Sequence, residues 1–595
     1  MCVIIDVMVF KLPKKKPKAE KTAEAAPRYT FTESMATFAF RHFGKISQWI
    51  LRFTPDAQSL FLKSGMNYTP EVFYSLVILS SLLTLPISAV TIFLIVLNHR
   101  LLVLFPLILL PLIVFGFGLL YPRSAASSRA GALDNELPFV VGYVAVLASG
   151  GISPIMTLKR LANVKLYPKA AIEAKRILMD VEVFALDPIS ALEKAARYNP
   201  NKAFADFFGG YTSVLKTGGD AVDYMQNKIR DIFAYRALKV KTAADTIGTF
   251  AESYISIAVI LGIGLFVLFA VQTILGSAAG GGGGGGVQKI ILLTTVFNPL
   301  VAAAFIFITH STQPKEPFNY YKPYVFFGIG LVTVPIILLV PPIIHLSIPF
   351  VYRLTAALTV CTIPGAAVSI ADSRARRSVE RLLPSFIRDI AEVRKTGLAP
   401  EKSIEELSSR NYGGLTPVVK SMASQISWGV PLRQVMSNII EQTRSWITQT
   451  TMFLLSEVID VGGGTPEMLG NLADFVEKIF QIEQDKRNQL RPYIFIPYFG
   501  AIMIVVTTVL MVYFLTSPIV SGGGFNPFAS SLSNISSVTN TMLAGAIFTS
   551  WIMGFVSGKM GEGSIAAGLK HASLLAAVSG IVIYVATIFF HIAGV

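Results

Sequence analysis

LPSFIRDIAEVRKTGLAP at Leu383–Pro400 repeats the frame of an earlier stretch, LPFVVGYVAVLASGGISP at Leu137–Pro154. Each stretch opens a charged block that lies between long apolar runs. Four positions coincide without a gap: Pro138 with Pro384, Ala145 with Ala391, Gly151 with Gly397, and Pro154 with Pro400. The chain therefore contains two copies of one charged module, each framed by apolar segments.

The turn residues of both copies predict helices joined by short connections. Glycine breaks a helix and permits a positive φ, whereas proline is favoured in the first turn of a helix. Gly-x-x-Pro, at Gly151–Pro154 and Gly397–Pro400, therefore predicts that one helix ends and the next begins at a fixed angle. Two further turns recur in the same order: Asp187-Pro188-Ile189 against Val430-Pro431-Leu432, and Lys216–Asp220 against Val461–Thr465.

The composition indicates an integral membrane protein. Hydrophobic residues make up 53% of the 595 residues and charged residues only 15%, whereas soluble domains have roughly 25% charged residues. The mean hydropathy is +0.59. The net charge of +15 is concentrated in the segments between certain apolar runs. Membrane topology requires that distribution, so we expect no nucleic acid as a partner.

The apolar runs predict nine membrane spans, because a helix needs about 20 apolar residues to cross the hydrocarbon core. The predicted spans are 73–97, 101–121, 254–275, 287–309, 324–345, 347–370, 492–516, 538–557 and 572–591. Two of them meet near His345 with only prolines between them. If these two form a hairpin that does not cross, the topology after them inverts.

The positive-inside rule assigns the two sides of the membrane. With nine spans and a cytoplasmic N-terminus, the segments on the inner side contain 48 of the 51 Lys and Arg residues. We therefore expect a multi-pass protein of the cell membrane with a cytoplasmic N-terminus and an extracellular C-terminus. Both modules then lie in the cytoplasm. They are parallel repeats, since each is entered by a span that runs inward and left by a span that runs outward.

The fold prediction is an all-α polytopic membrane protein with two homologous cytoplasmic helical-bundle modules. The predicted regions are 1–72, a basic tail with an amphipathic helix; 73–121, a transmembrane hairpin; 122–253, the first module; 254–370, four transmembrane helices; 371–491, the second module; and 492–595, three transmembrane helices.

The segment Ser34–Phe53 predicts an amphipathic helix. Apolar residues recur there at helical spacing, with Arg41, Lys45 and Arg52 between them. Such a helix suits the headgroup region, where its apolar face meets membrane lipids and its basic residues lie near phosphates. A helix packed on the protein's own domain explains the same pattern equally well, and the sequence leaves both interpretations open.

The sequence predicts neither an enzyme nor a metal or cofactor site. The stretch Gly554–Met560 has the wrong spacing for a phosphate-binding loop and ends without the hydroxyl that binds magnesium. The predicted spans contain no Asp or Glu, the usual markers of ion-coupled transport and proton relays. We therefore expect no catalytic residue, and the absence of such carboxylates disfavours a secondary transporter.

The duplicated helical modules carry a family resemblance. Their Gly-Leu-Ala-Pro-type turns, Gly429-Val430-Pro431-Leu432 and Val461-Gly462-Gly463-Gly464 resemble the type II secretion system F superfamily over residues 120–520. Members are platform proteins in the inner or cytoplasmic membrane, part of type IV pilus-like machines. Two modules within a nine-span chain are similar to the archaeal branch, which serves the archaellum and archaeal adhesive pili.

The resemblance implies a partner for each side of the platform. It implies that the protein couples a cytoplasmic hexameric secretion ATPase to the insertion or extraction of pilin or archaellin subunits, and that it is a homodimer. On the second module, Arg388, Arg394 and Lys395 lie beside the repeated turn. They are candidates for docking the ATPase, because complementary charges steer and orient association.

Two other functions explain parts of the pattern. A transporter or channel could use the parallel repeats, and functional ionisable residues within the spans would favour it. A membrane-anchored signalling or adaptor protein is the third class. The two copies also differ: the second has Arg388 and Glu392 where the first has Gly142 and Val146. We therefore expect the first copy to pack inward and the second to meet a partner.

Overall fold

A computed structural model describes residues 31–54, 56–66, 68–97, 107–261, 291–313, 320–343, 348–516 and 532–590, with the isolated positions 264, 267, 268, 271 and 288. This part of the chain is almost wholly helical and contains no strand. The prediction of an all-α membrane protein with two homologous modules is confirmed. The chain divides into two units, one of residues 1–131 with 198–200 and the other of 132–197 with 201–595.

The first unit contains helices α1 (Phe31–Arg52), α2 (Ala57–Ser64), α3 (Pro70–Leu97) and the first part of α4 (Leu110–Ala148). α1 packs along α3. Ala57 and Phe61 of α2 form a small core with Tyr74 of α3. α1 thus packs on its own unit, as one of the two interpretations of the amphipathic segment predicted.

The second unit contains both modules, and each module has six helices. In the first module the second part of α4 is followed by α5 (Pro154–Leu161), α6 (Pro168–Glu182), α7 (Pro188–Tyr198), α8 (Lys202–Thr217) and α9 (Ala221–Ile255). In the second module the helices are α14 (Leu383–Lys395), α15 (Pro400–Leu407), α16 (Thr416–Ser427), α17 (Leu432–Gln442), α18 (Trp446–Gly462) and α19 (Pro466–Leu490).

Apolar helices separate and follow the modules. They are α10 (Asn298–Thr312), α11 (Lys322–Leu331), α12 (Thr333–Ile343), α13 (Phe350–Glu380), α20 (Phe495–Thr516), α21 (Leu532–Glu562) and α22 (Ile565–Phe590). Eight helical stretches of the described residues are long and apolar enough to cross a membrane, and α11 and α12 count together as one of them, Lys322–Val340. They correspond to eight of the nine predicted spans. The remaining one, 254–275, begins in α9 and a π-helical turn at Ser256–Leu261, and then leaves the described residues.

Each module continues directly into apolar helices. α4 runs from its apolar start at Leu110 into the first module without a break. α13 ends at Glu380, and α14 begins three residues later at Leu383. The predicted boundary between residues 121 and 122 therefore falls inside a helix.

α21 and α22 approach each other closely because glycines line their contact. A Cβ atom at Gly554 or Gly558 would meet backbone atoms of α22, and one at Gly568 would meet the backbone of α21. Gly-x-x-x-Gly spacing allows this approach of two membrane helices. The stretch that fails as a phosphate-binding loop thus has a packing role.

Candidate functional site

The repeated turns have the geometry that the sequence predicts. Gly151 and Gly397 have φ values of +79° and +87°. Pro154 and Pro400 begin α5 and α15. A side chain at either glycine would be strained by its backbone and by nothing else, since no atom lies within 4 Å of the position that a Cβ would take.

In the second repeated turn, the two copies are offset by one residue from the predicted alignment of Pro188 with Pro431. The residues with positive φ are Ala185 (52°) and Gly429 (80°). α7 begins at Pro188, whereas Pro431 precedes the first residue of α17. Proline is accepted both at the start of a helix and just before it, so a shared proline does not determine the register.

The two modules share one hydrophobic core. Every residue from Leu137 to Ala148 in α4 is buried, and this segment packs on α18 and α19 of the second module. Aromatic rings meet across the contact, with ring centroids 5.0 Å apart for Phe139 and Trp446 and 5.5 Å apart for Phe233 and Phe475. One continuous core indicates that the modules form a single body.

Glycine is required where α4 crosses the second module. A Cβ at Gly142 would overlap the ring of Phe475, and a Cβ at Gly150 would overlap the side chain of Met468. Phe475 and Met468 are themselves buried in the shared core. The close approach of the modules therefore depends on Gly142 in α4 and on Gly150, two residues after the end of that helix, neither of which has a side chain.

A buried carboxylate joins the modules by hydrogen bonds. Glu457 of α18 accepts from the hydroxyl of Tyr143 at 3.0 Å and from Nη1 of Arg160 at 3.1 Å. Arg433, from the second module, lies 3.8 Å from the other carboxylate oxygen of Glu457 and 3.6 Å from Asp460. Burial raises the pKa of Asp460 above its ordinary value, although the charge of Arg433 opposes this effect. The cluster is a latch between the modules.

Sequence reasoning missed this latch. Glu457 interrupts an apolar helical stretch, with Leu454 and Val458 buried close to it in the sequence. An acid on an otherwise apolar helix face is a signal for a buried, paired carboxylate. The sequence could have indicated that a cation pairs with Glu457, but not that Arg160 reaches it across the contact between the modules.

The equivalent first helices of the two modules differ in their burial. The first helix of module one, in α4, is enclosed by module two. α14, the equivalent helix of module two, leaves Ser385, Arg388 and Glu392 exposed. Arg388 stands where α4 has Gly142, so α14 cannot repeat the close packing. The prediction that the first copy packs inward is confirmed by its burial.

The three docking candidates lie near one another on the second module but differ in their partners. Arg388 forms ion pairs with Asp474 at 3.3 Å and Glu477 at 2.6 Å, both in α19. Lys395 pairs with Glu392 at 2.7 Å within α14, and both side chains are exposed. Lys395 is therefore the more accessible of these two cations.

Arg394 joins two of the repeated turns. Its guanidinium donates to the carbonyl oxygens of Gly464 at 2.9 Å and Gly463 at 3.0 Å, and to that of Leu398. These carbonyls belong to the turn after α18 and the turn after α14. Arg394 thus provides a donor for backbone carbonyls in both turns.

We expect Arg394→Ala to lower the free energy of unfolding by about 2 kcal/mol, since it removes hydrogen bonds from a charged donor. The melting temperature of the purified protein in detergent measures this. Lys395→Ala, one residue away and in an exposed ion pair, serves as the control and should cost about 0.5 kcal/mol or less. Equal losses for both variants would contradict the structural role of Arg394.

The C-terminal helices contain a second polar cluster. Lys559, buried in α21, donates to Oε1 of Gln313 at 2.6 Å and to the carbonyl of Gly563 at 3.0 Å. Glu562 lies 2.5 Å from Lys570 and accepts from its ammonium. The sequence placed these residues in an inner loop, whereas Lys559 and Glu562 lie in the last turn of α21.

The described residues hold no group of three or more His, Cys, Asp or Glu side chains that could bind a metal ion. Cys361 is buried in α13.

Comparison with known proteins finds one family and two relatives. Residues 141–269 and 386–513 each match the family "Type II secretion system (T2SS), protein F". An uncharacterised protein of Methanocaldococcus jannaschii is 24% identical over 78% of this chain and 81% of its own length. Flagella accessory protein J of the same organism is 20% identical over 70% of this chain and 76% of its own length. No solved structure matches the chain.

Proposed function

We propose that the protein is the membrane platform of an archaeal type IV pilus-like filament, either an adhesive pilus or an archaellum, because residues 141–269 and 386–513 each match the type II secretion system protein F family. The observation that supports this most directly is the shared core of the two domains, built onto helices that continue into a multi-pass membrane region.

The platform couples a cytoplasmic hexameric secretion ATPase to the insertion or extraction of pilin or archaellin subunits. Because the modules share one core, the ATPase displaces them together rather than one against the other. α4, which is continuous from Leu110 to Ala148, carries the displacement into the membrane. The other connections, α13 to α14 and α19 to α20, transmit it to the remaining helices.

The expected topology completes this proposal. The N-terminus and both modules face the cytoplasm, where the ATPase is, and the C-terminus is extracellular. The protein acts as a homodimer. Since Arg388 occupies the position of Gly142, the dimer does not form by repeating the contact between the modules.

The platform itself is not an enzyme. The chain has no phosphate-binding loop, because no Gly-x-x-x-x-Gly-Lys-Ser/Thr occurs anywhere in its sequence. The energy of filament assembly then comes from the partner ATPase. The proposed role of the modules is to bind that ATPase and to fix the position of the membrane helices relative to it.

The proposal is tested by isolating the tagged protein from its native membrane. We expect the secretion ATPase to co-purify, and a deletion strain to lack the filament. Normal filaments in the deletion strain together with no associated ATPase would contradict the platform function and favour a signalling or adaptor protein.

The docking site is tested by reversing charge on the second module. We expect Arg388→Glu combined with Lys395→Glu to weaken binding of the purified ATPase by roughly fivefold per charge at low salt, since complementary charge steers association. Lys159→Glu is the matched control: Lys159 is an exposed lysine paired with Glu182 in the first module. Unchanged ATPase binding by the double variant would remove these residues from the proposal.

A transporter remains the second candidate, on one observation. Lys559 and Glu562 place ionisable groups at the end of an apolar helix. Within the described part of the chain, both are engaged in the hydrogen bonds and ion pairs given above, which favours a structural lock. Proton or sodium uptake by proteoliposomes that is lost in Lys559→Met would support the transporter instead.

A further inference from the structure

Helix α1 has a packing face made of small side chains. Ala36, Ala39 and Ser47 are buried where α1 packs along α3. The hydroxyl of Ser47 donates to the carbonyl of Glu71, near the start of α3, at 2.7 Å. These three residues recur at three- and eight-residue intervals and therefore lie on one side of the helix. This side attaches α1 to the first membrane helix.

A second face of α1 is apolar and exposed. Its members follow helical spacing and are Met35, Phe38, Ile46, Trp49 and Phe53. Trp49 is 58% exposed and Phe53 is 69% exposed, and their rings are in edge contact with centroids 4.8 Å apart. A contiguous set of large apolar side chains does not remain in water without a partner.

A third face of α1 is basic. Arg41, Lys45 and Arg52 are exposed and recur at four- and seven-residue intervals, which places them on one side of the helix. At 100° per residue, this side lies next to the apolar stripe and roughly opposite the packing face. The sequence allowed either a membrane-bound helix or a self-packed helix, and three separate faces let α1 be both.

The chemistry of the exposed faces indicates their occupant. α3 exposes large apolar side chains such as Leu83 and Phe93, and it is long and apolar enough to cross a membrane. Since α1 packs along this helix, its apolar stripe extends the apolar surface of a helix that can cross a membrane. The adjacent cations match the negative charge of lipid phosphates.

We propose that α1 is a lipid-binding element whose apolar stripe contacts acyl chains and whose basic stripe binds anionic headgroups. The element holds the start of the chain at the membrane surface beside α3. This assignment does not depend on which filament the platform serves, so the two proposals can fail separately.

Quenching of Trp49 fluorescence tests the apolar stripe. The full chain carrying Trp428→Phe, Trp446→Phe and Trp551→Phe keeps Trp49 as its one tryptophan and is placed in nanodiscs. We expect brominated acyl chains to quench the emission and aqueous iodide to have little effect. Quenching by iodide alone, or by neither agent, would overturn the proposal, because Trp49 would then face water or another protein surface.

A second label covers the case in which the triple tryptophan variant does not fold. Phe53→Cys with Cys2→Ser provides a single accessible thiol, because Cys361 is buried. An environment-sensitive dye on this cysteine should report an apolar surrounding in nanodiscs. Emission typical of water from the dye would contradict the proposal as directly as iodide quenching of Trp49.

Charge removal tests the basic stripe. We expect Arg41→Gln, Lys45→Gln and Arg52→Gln together to weaken the preference of the full chain for phosphatidylglycerol over phosphatidylcholine, by roughly fivefold per charge. Lipids retained after purification from mixed nanodiscs measure this preference. Lys402→Gln, an exposed lysine on α15, is the control. An unchanged lipid preference in the triple variant would remove the headgroup contact.

Discussion

Gly142→Val should be among the most damaging single substitutions in the chain. We expect it to lower the free energy of unfolding by about 3 kcal/mol, because a side chain there must displace the buried ring of Phe475. The contact between the modules would open, and filament assembly should be lost. Thermal melting of the purified protein and filament counts in a complemented deletion strain measure the two effects.

A second substitution, at Phe475, distinguishes the loss of this contact from a general effect on α4. In a double-mutant cycle, Phe475→Ala should restore part of the stability that Gly142→Val removes. The loss in the double variant should then be smaller than the sum of the two single losses by about 2 kcal/mol. Gly131→Ala is the control within the same helix, since no atom lies near the position of its Cβ. Additive losses would show that Gly142 and Phe475 do not depend on each other.

Glu457→Ala should be similarly damaging for an electrostatic reason. The substitution leaves the hydroxyl of Tyr143 and the guanidinium of Arg160 without their acceptor, and we expect it to cost about 3–5 kcal/mol. Because these donors come from the other module, the loss should open the contact between modules. Faster limited proteolysis between residues 149 and 200, together with a lower melting temperature, would reveal this opening.

An exposed glutamate provides the comparison for this prediction. Glu392→Ala removes a carboxylate that pairs with Lys395 at the surface, and it should change stability by about 0.5 kcal/mol or less. If Glu457→Ala were equally mild, the latch would contribute nothing beyond its neighbours in the core. Arg160→Met, which removes one donor and keeps an apolar stem, should fall between the two variants.

Patterns in the sequence predicted the features that depend on neighbours along the chain. The positive φ at Gly151 and Gly397, and the helices that begin at Pro154 and Pro400, follow from local backbone preferences. Eight of nine predicted spans correspond to apolar helices, since span length and apolarity are local properties too. The register of the second turn was less secure because proline tolerates two positions at a helix start.

For the docking candidates, the local sequence did not predict the hydrogen-bond and ion-pair partners. Arg394 looked like a free surface cation beside a turn, but the carbonyls of Gly463 and Gly464 lie about seventy residues away in the chain. Arg388 similarly meets Asp474 and Glu477 of another helix. No spacing in the sequence links either arginine to its partners, because pairing between distant helices depends on how the helices of the bundle pack together.

The sequence by itself determined that this is a helical membrane protein with two copies of one module, because periodicity, apolar length and turn residues are written in short stretches of chain. Only the tertiary structure decided that the modules form one body, with Gly142 against Phe475 and Glu457 holding Tyr143 and Arg160. Close packing requires side chains that fit one another in space, and residues about three hundred positions apart in the chain carry no local sign of that fit.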